Sequence, residues 1–261
     1  MVYYGISDIG LVRDNNEDCF GIYRIGDAVL AVVCDGMGGE NCGEVASSLT
    51  LETFAKTVTG MCAPKLEGDH LSLSERDAYV ILYNAAAKAN DTLITHQAEY
   101  PESDGMGTTL VAALVMDGGK TVSWLNVGDS RLYTVDGKDI LQVSKDHSYI
   151  QYLVDTGEIT PEEAKTSKDR NLITRAVGIR AEVEPDIDTF PLSDAEVADT
   201  HILLCSDGFS GAVSEEECYA IVRDSSRTLQ QKVDALVALA KKNDGTDNIT
   251  VILLDLGSEE A

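Results

Sequence analysis

The sequence predicts an α+β fold, and three features carry that prediction. Short apolar runs bounded by turn residues dominate the first third and the middle of the chain, as strands do. Helical spacing is confined to a few well-separated blocks. Two almost wholly apolar runs, Ala28 to Cys34 and His201 to Ser206, stop at the same dipeptide, Asp35-Gly36 and Asp207-Gly208.

In chain order, Glu44 to Val58 reads as a helix, and Ala78, Leu82, Ala85, Ala89 and Leu93 form the apolar stripe of a second. Thr108 to Met116, Thr121 to Val127, Arg131 to Val135 and Ile140 to Val143 read as consecutive strands. The connections DGGK, GDS and DGK are hairpin-type turns, so neighbouring strands are expected to be antiparallel. Thr160-Pro161-Glu162-Glu163 opens a short helix. Ser214 with Glu217 has the spacing of a capping box, and Leu229, Val233, Leu236, Val237 and Ala240 line another helix. Ile249 to Leu256 is the last strand, directly after Asp247-Asn248. With no repeat and no linker, residues 1–256 are expected to form one domain, with a frayed tail at 257–261.

Composition narrows the function. The chain has 261 residues, with 45 acidic against 20 basic and a net charge of -25, which disfavours nucleic acid and anionic membranes as partners. The N-terminal stretch lacks a leader pattern and no apolar run approaches a membrane span, so a cytoplasmic protein is expected. Its six cysteines contain no CxxC pair and read mostly as small buried hydrophobes, and zinc is not expected. None has arginine at the offset that a cysteine phosphatase needs, and the histidine-bearing GDxHG and GNH segments of another metallophosphatase class are absent.

Asp35, Asp129, Asp207 and Asp247 each stand where an apolar strand meets a turn. A single Asp-Gly there is an ordinary turn. Four acids at the ends of strands that share a core repel one another, and buried carboxylates without partners are costly. Only Arg13 and Arg131 are basic near these motifs, so bound cations are the expected compensation. Oxygen-only ligation selects Mg2+ or Mn2+. Gly36 has no side chain to keep its carbonyl from a metal. Two such ions share and activate a water for attack on a phosphate ester, and an arginine such as Arg13 would hold phosphate oxygens in a fork.

The segments RDNNED (13–18), VCDGMGGENCGEVAS (33–47), GTT (107–109), NVGDSRLY (126–133), LLCSDGFS (204–210) and DNIT (247–250) occur in an order and spacing that resembles the PPM, or PP2C-type, protein phosphatases, most closely the compact bacterial members. The resemblance covers Asp8 to Leu254. It implies an αββα sandwich, two antiparallel sheets face to face with helices outside, and hydrolysis of phosphoserine and phosphothreonine. By motif, Asp35 would bridge two core metals, the Gly36 carbonyl would bind one, and Asp207 and Asp247 would complete the other. Glu17 and Asp18 would hold metal-bound waters, Asp129 with Asp207 would bind a weaker third metal, and Arg13 would bind phosphate. Residues 145–178 resemble the flap that borders the cleft, whose basic and tyrosine side chains equally suit a solvated surface. The implied partners are phosphorylated proteins, including a serine/threonine kinase, with the enzyme a monomer.

Met37 and Glu40 replace the histidines often found at those places, so a coordinated water is the expected proton donor. The usual His-Pro of the flap is replaced at Ser167-Lys168-Asp169. His147, in the segment DHS, reads as structural. The alternative from another class is a silent domain that binds a phosphoprotein without hydrolysing it; the intact motif acids speak against it.

Overall fold

The computed structural model describes residues 1–38, 42–164 and 172–258. One sheet has the order β1-β13-β12-β9-β10, built from β1 (Val2–Asp8), β9 (Arg131–Val135), β10 (Ile140–Gln142), β12 (His201–Cys205) and β13 (Ile249–Asp255). The other has the order β11-β8-β7-β3-β2, built from β2 (Asp18–Ile25), β3 (Ala28–Met37), β7 (Leu110–Met116), β8 (Thr121–Val127) and β11 (Asp186–Pro191). The two-residue β6 (Gly107–Thr108) pairs with the end of β3, and β4 (Leu66–Glu67) with β5 (His70–Leu71) forms a small separate hairpin. All these pairings are antiparallel.

The alternation of side chains along a strand explains how two sheets make four layers. In β3, Leu30, Val32 and Cys34 join the cluster that contains Phe54 and Val58 of α1 (Cys42–Cys62) and Leu82 and Leu93 of α2 (Glu75–Glu99). Val29, Ala31 and Val33 point the other way and meet Ile202 and Leu204 of β12 and Ile252 and Leu254 of β13. On the far face of that second sheet, Leu203, Val251 and Leu253 pack with Cys218 of α7 (Glu215–Val222) and Val233 and Leu236 of α8 (Leu229–Asn243). This is the αββα sandwich. Because the inner strands are covered on both faces, they read as continuous apolar runs; every residue of β7 is buried.

The helix starts follow their sequence signals. Ser214 and Glu217 form a reciprocal capping box at α7, and Thr160 and Glu163 exchange bonds at α4 (Pro161–Ala164). The first helix is longer than the expected 44–58 at both ends.

Several expectations need correction. The GDS connection is not a hairpin: β8 and β9 belong to different sheets, so residues 128–130 cross between them. β3 does not stop at Asp35 but runs to Met37, because Thr109 accepts no break there: its amide donates to the Asp35 carbonyl and its Oγ1 accepts from the Asp35 amide. The same bonds split the expected strand 108–116 into β6 and β7 at Thr109. Asp207-Gly208 opens a helical turn, α6 (Asp207–Ser210), with Ser206 at the N-cap position making no side-chain cap bond, rather than a simple reversal. β11, α3 (Tyr149–Asp155) and the short α5 (Asp194–Val197) have no counterpart in the sequence reading. In the expected tail, Gly257 and Ser258 donate to the Asp255 carboxylate, so these two residues are not frayed. Glu40 and the segment Ser167-Lys168-Asp169 lie outside the described residues.

Candidate metal centre

The acids converge where the two sheets end side by side. Asp18 and Asp35 stand directly opposite each other at the end of the β2–β3 pair. Asp207 opens α6 just beyond β12, Asp247 precedes β13, and Asp129 lies on the crossover between the sheets. The Asp35 carboxyl hydrogen-bonds to Asp207. A cleft of about 1000 Å3 opens over Asp129, Asp207 and Asp247 and is bordered by Ser148, Ile150 and Gln151.

Their protonation reflects the crowding. Burial, then the charges of Asp18, Asp207, Asp129 and Asp247, raise Asp35 well above the ordinary carboxylate range. Burial pushes Asp18 up to about 7 despite hydrogen bonds from Thr250 and Ser206. Burial and the neighbouring Asp207 and Asp146 push Asp129 up to about 7 as well. Burial and Asp247 raise Asp207. Glu17 is raised chiefly by burial, against the pull of Arg13.

Cationic side chains relieve this only in part: Arg131 pulls Asp129 and Asp207 down without reversing the rise of either. Arg131 holds Asp146 in a fork, Nε to Oδ1 at 2.9 Å and NH2 to Oδ2 at 2.7 Å, and also donates to the Tyr133 hydroxyl. Arg13 reaches from the exposed rim to Asp247 at 2.9 Å.

Two observations test whether a hard cation suits this place. Asp18 Oδ1 is buried without any hydrogen-bond partner, while its Oδ2 accepts from Ser206 and Thr250, both at 2.7 Å. A Cβ at Gly36 would overlap the Gly43 carbonyl and lie 2.8 Å from that of Glu17, so only glycine leaves this backbone where it is. The donor set is all oxygen and rich in surplus negative charge, which fits Mg2+ or Mn2+. Among the described residues no three Asp, Glu, His or Cys side chains form a closed cage by themselves.

The relatives now decide the family. The Protein phosphatase 2C family profile matches residues 12–242. The chain belongs to the protein phosphatase 2C family. Among similar members of that family, serine/threonine phosphatase Stp of Listeria monocytogenes is 33% identical over 254 residues, covering 95% of this chain and 93% of the relative. The structure of the Mycobacterium tuberculosis serine/threonine phosphatase PstP/Ppp superposes with a TM-score of 0.82 at 34% identity, over 98% of this chain and 99% of that one. The catalytic domain of PstP in complex with two manganese ions superposes with a TM-score of 0.79 at 34% identity, over 97% of both chains. Phosphatases of this family are metal-dependent.

The acids named from the sequence lie together in the fold, and the groups that orient them were not named. Thr109 holds the Asp35 backbone on both sides. Ser206 and Thr250 aim Asp18, and Asn248 accepts from the Glu17 amide while donating to the Ile9 and Asn15 carbonyls. Each lies inside a segment already singled out, GTT, SDG or DNIT; the signal was there, but hydroxyls and amides beside acids read as turn residues.

Proposed function

We propose that this chain is a protein serine/threonine phosphatase that hydrolyses phosphoserine and phosphothreonine in phosphoproteins. The observation that carries it is the meeting of Asp18, Asp35, Asp129, Asp207 and Asp247 at one cleft of a protein phosphatase 2C fold, with Arg13 on the rim.

In this reading Asp35, the Gly36 carbonyl, Asp207 and Asp247 would hold two core ions, Mn2+ or Mg2+, and Asp129 with Asp207 would hold a weaker third. When bound, such ions supply Lewis acidity and a water acidic enough to act as nucleophile at neutral pH. Glu17 and Asp18 orient water from the side of β2, and the orphaned Oδ1 of Asp18 is the free acceptor for it. Arg13 leaves Asp247 to grip two phosphate oxygens in a planar fork that lysine cannot reproduce. No histidine lines the cleft among the described residues, so the leaving oxygen takes its proton from water.

The chain acts as one domain and a monomer in the cytoplasm, with a serine/threonine kinase among its substrates. Among the described residues no helix is long and apolar enough to cross a membrane. The test is hydrolysis of p-nitrophenyl phosphate and a phosphothreonine peptide with Mn2+, Mg2+ or EDTA. Turnover with Mn2+ and none with EDTA is expected; no turnover above the EDTA control means a silent phosphoprotein-binding domain instead.

A further inference from the structure

We infer that His147 is a positioning residue that fixes the Asp129 turn and registers the flap against it. The inference rests on the metal-site reading of Asp129 given above.

His147 follows β10, is only 6% exposed and lies outside the acid cluster. It bonds Gly128 twice: the Gly128 amide donates to its Nδ1 at 3.1 Å, and its own amide donates to the Gly128 carbonyl at 2.9 Å. Gly128 immediately precedes Asp129 and has a φ of 110°, a conformation that side chains rarely adopt, and a Cβ there would lie 2.6 Å from Thr109. The turn that presents Asp129 to the cleft is therefore held by two bonds to His147, with Asn126 Nδ2 also donating to the Gly128 carbonyl at 3.1 Å.

The remaining groups of His147 point to the flap and the neighbouring strand. Its carbonyl accepts from the Thr174 amide at 2.7 Å. Because Nδ1 accepts, the ring proton is assigned to Nε2, which faces Asp186 Oδ2 at 3.1 Å. Arg175 donates to the other oxygen of Asp186 at 2.9 Å, and the same nitrogen lies 3.1 Å from Nε2. Asp186 begins β11 opposite Asn126, the residue two before Gly128. His147 thus joins the Asp129 turn through Nδ1 and its amide, the return segment at Thr174 through its carbonyl, and Asp186 at the edge of the sheet through Nε2. Displacing it moves an acid of the site and a wall of the cleft together.

The experiment compares wild type with His147→Asn and His147→Gln. Asparagine places an acceptor oxygen where Nδ1 lies, keeping the bond from Gly128 but not the link to Asp186. Glutamine reaches Asp186 but has no acceptor at Gly128. Metal-depleted proteins are titrated calorimetrically with Mn2+, and turnover of p-nitrophenyl phosphate and of a phosphothreonine peptide is measured alongside thermal unfolding.

For His147→Gln, the weakest Mn2+ site is expected to lose about tenfold in affinity and kcat to fall about tenfold, with the tighter sites unchanged. For His147→Asn, weak-site affinity and kcat on p-nitrophenyl phosphate are expected to stay within about twofold of wild type, while KM for the phosphopeptide rises. Unchanged Mn2+ affinity and kcat in the glutamine variant overturn the inference, as does a fall in Tm in both variants with unaltered affinity per folded molecule. A wild-type protein without a weak Mn2+ site also overturns it. Absence of turnover in wild type bears on the proposed function alone, because the calorimetric comparison still decides the role of His147.

Discussion

Strand β12 begins and ends among clustered ionisable groups, arranged in opposite ways. At its start, His201 faces Lys232 Nζ at 3.3 Å and Asp255 at 3.8 Å, and nearby Arg223 holds the Asp199 carboxylate at 2.6 Å and its carbonyl at 2.9 Å. At its end, Asp207 meets Asp35, Asp18, Asp129 and Asp247, with Arg13 reaching only the last. One end supplies each acid with a base. The other gathers acids and leaves their compensation to something outside the chain. Charges placed for stability are paired within the protein, whereas charges placed for binding are left in conflict until a ligand arrives.

The sharpest way to break that contrast is at Asp207. In Asp207→Asn, phosphatase turnover with saturating Mn2+ is expected to fall by about a thousandfold or more, since the ions supply several kcal/mol of transition-state stabilisation. In EDTA the same variant is expected to unfold at the wild-type temperature or slightly above it, because the amide removes one repelling carboxylate from the group around Asp35. A calorimetric scan in EDTA checks the second half; a marked loss of Tm would mean that Asp207 belongs with the stabilising charges after all.

These differences were unequally legible in the sequence. The acid end was readable because each aspartate stands beside a local break in an apolar run, and a break in pattern is visible without knowing what the strand pairs with. The crossover at Asp129 was not, since GDS closes a hairpin or joins two sheets with the same local chemistry, and only the partners of β8 and β9 distinguish them. β11 was missed because DIDTFP mixes polar and apolar residues and pairs with β8 across a sequence gap of about sixty residues. The paired end of β12 was unreadable for the same reason: Lys232, Arg223 and Asp199 come from three separate segments that meet only in the folded chain.

A milder test acts at the paired end. Arg223 donates to both the carboxylate and the carbonyl of Asp199, whose other oxygen accepts from the Gly137 amide at 2.7 Å. Arg223→Ala removes the cation from this partly exposed pair and is expected to lower Tm only modestly. With Mn2+ bound, kcat on p-nitrophenyl phosphate is expected to stay at the wild-type value. A change in kcat would show that the two ends of β12 communicate, and the division between stability and chemistry would need redrawing.

A last test is a pH dependence seated at His201. Burial comes first among its influences, and with Lys232 and Arg223 nearby it outweighs the attraction of Asp255 and Asp199, lowering the imidazole to about 4 from its ordinary 6.5. Between those values the unfolded chain binds a proton that the folded chain refuses. Stability therefore rises with pH across this window and is lost as pH falls from about 6.5 towards 4, by up to about 3 kcal/mol. His201→Gln keeps an amide oxygen for Lys232 but cannot take up the proton, so its unfolding free energy should fall less steeply than that of wild type over the same interval. Comparing the two proteins by urea unfolding at saturating Mn2+ cancels the contribution of the acid end, which both share. Equal slopes would place the proton elsewhere and would mean that the charges around His201 follow pH as freely as those on the surface.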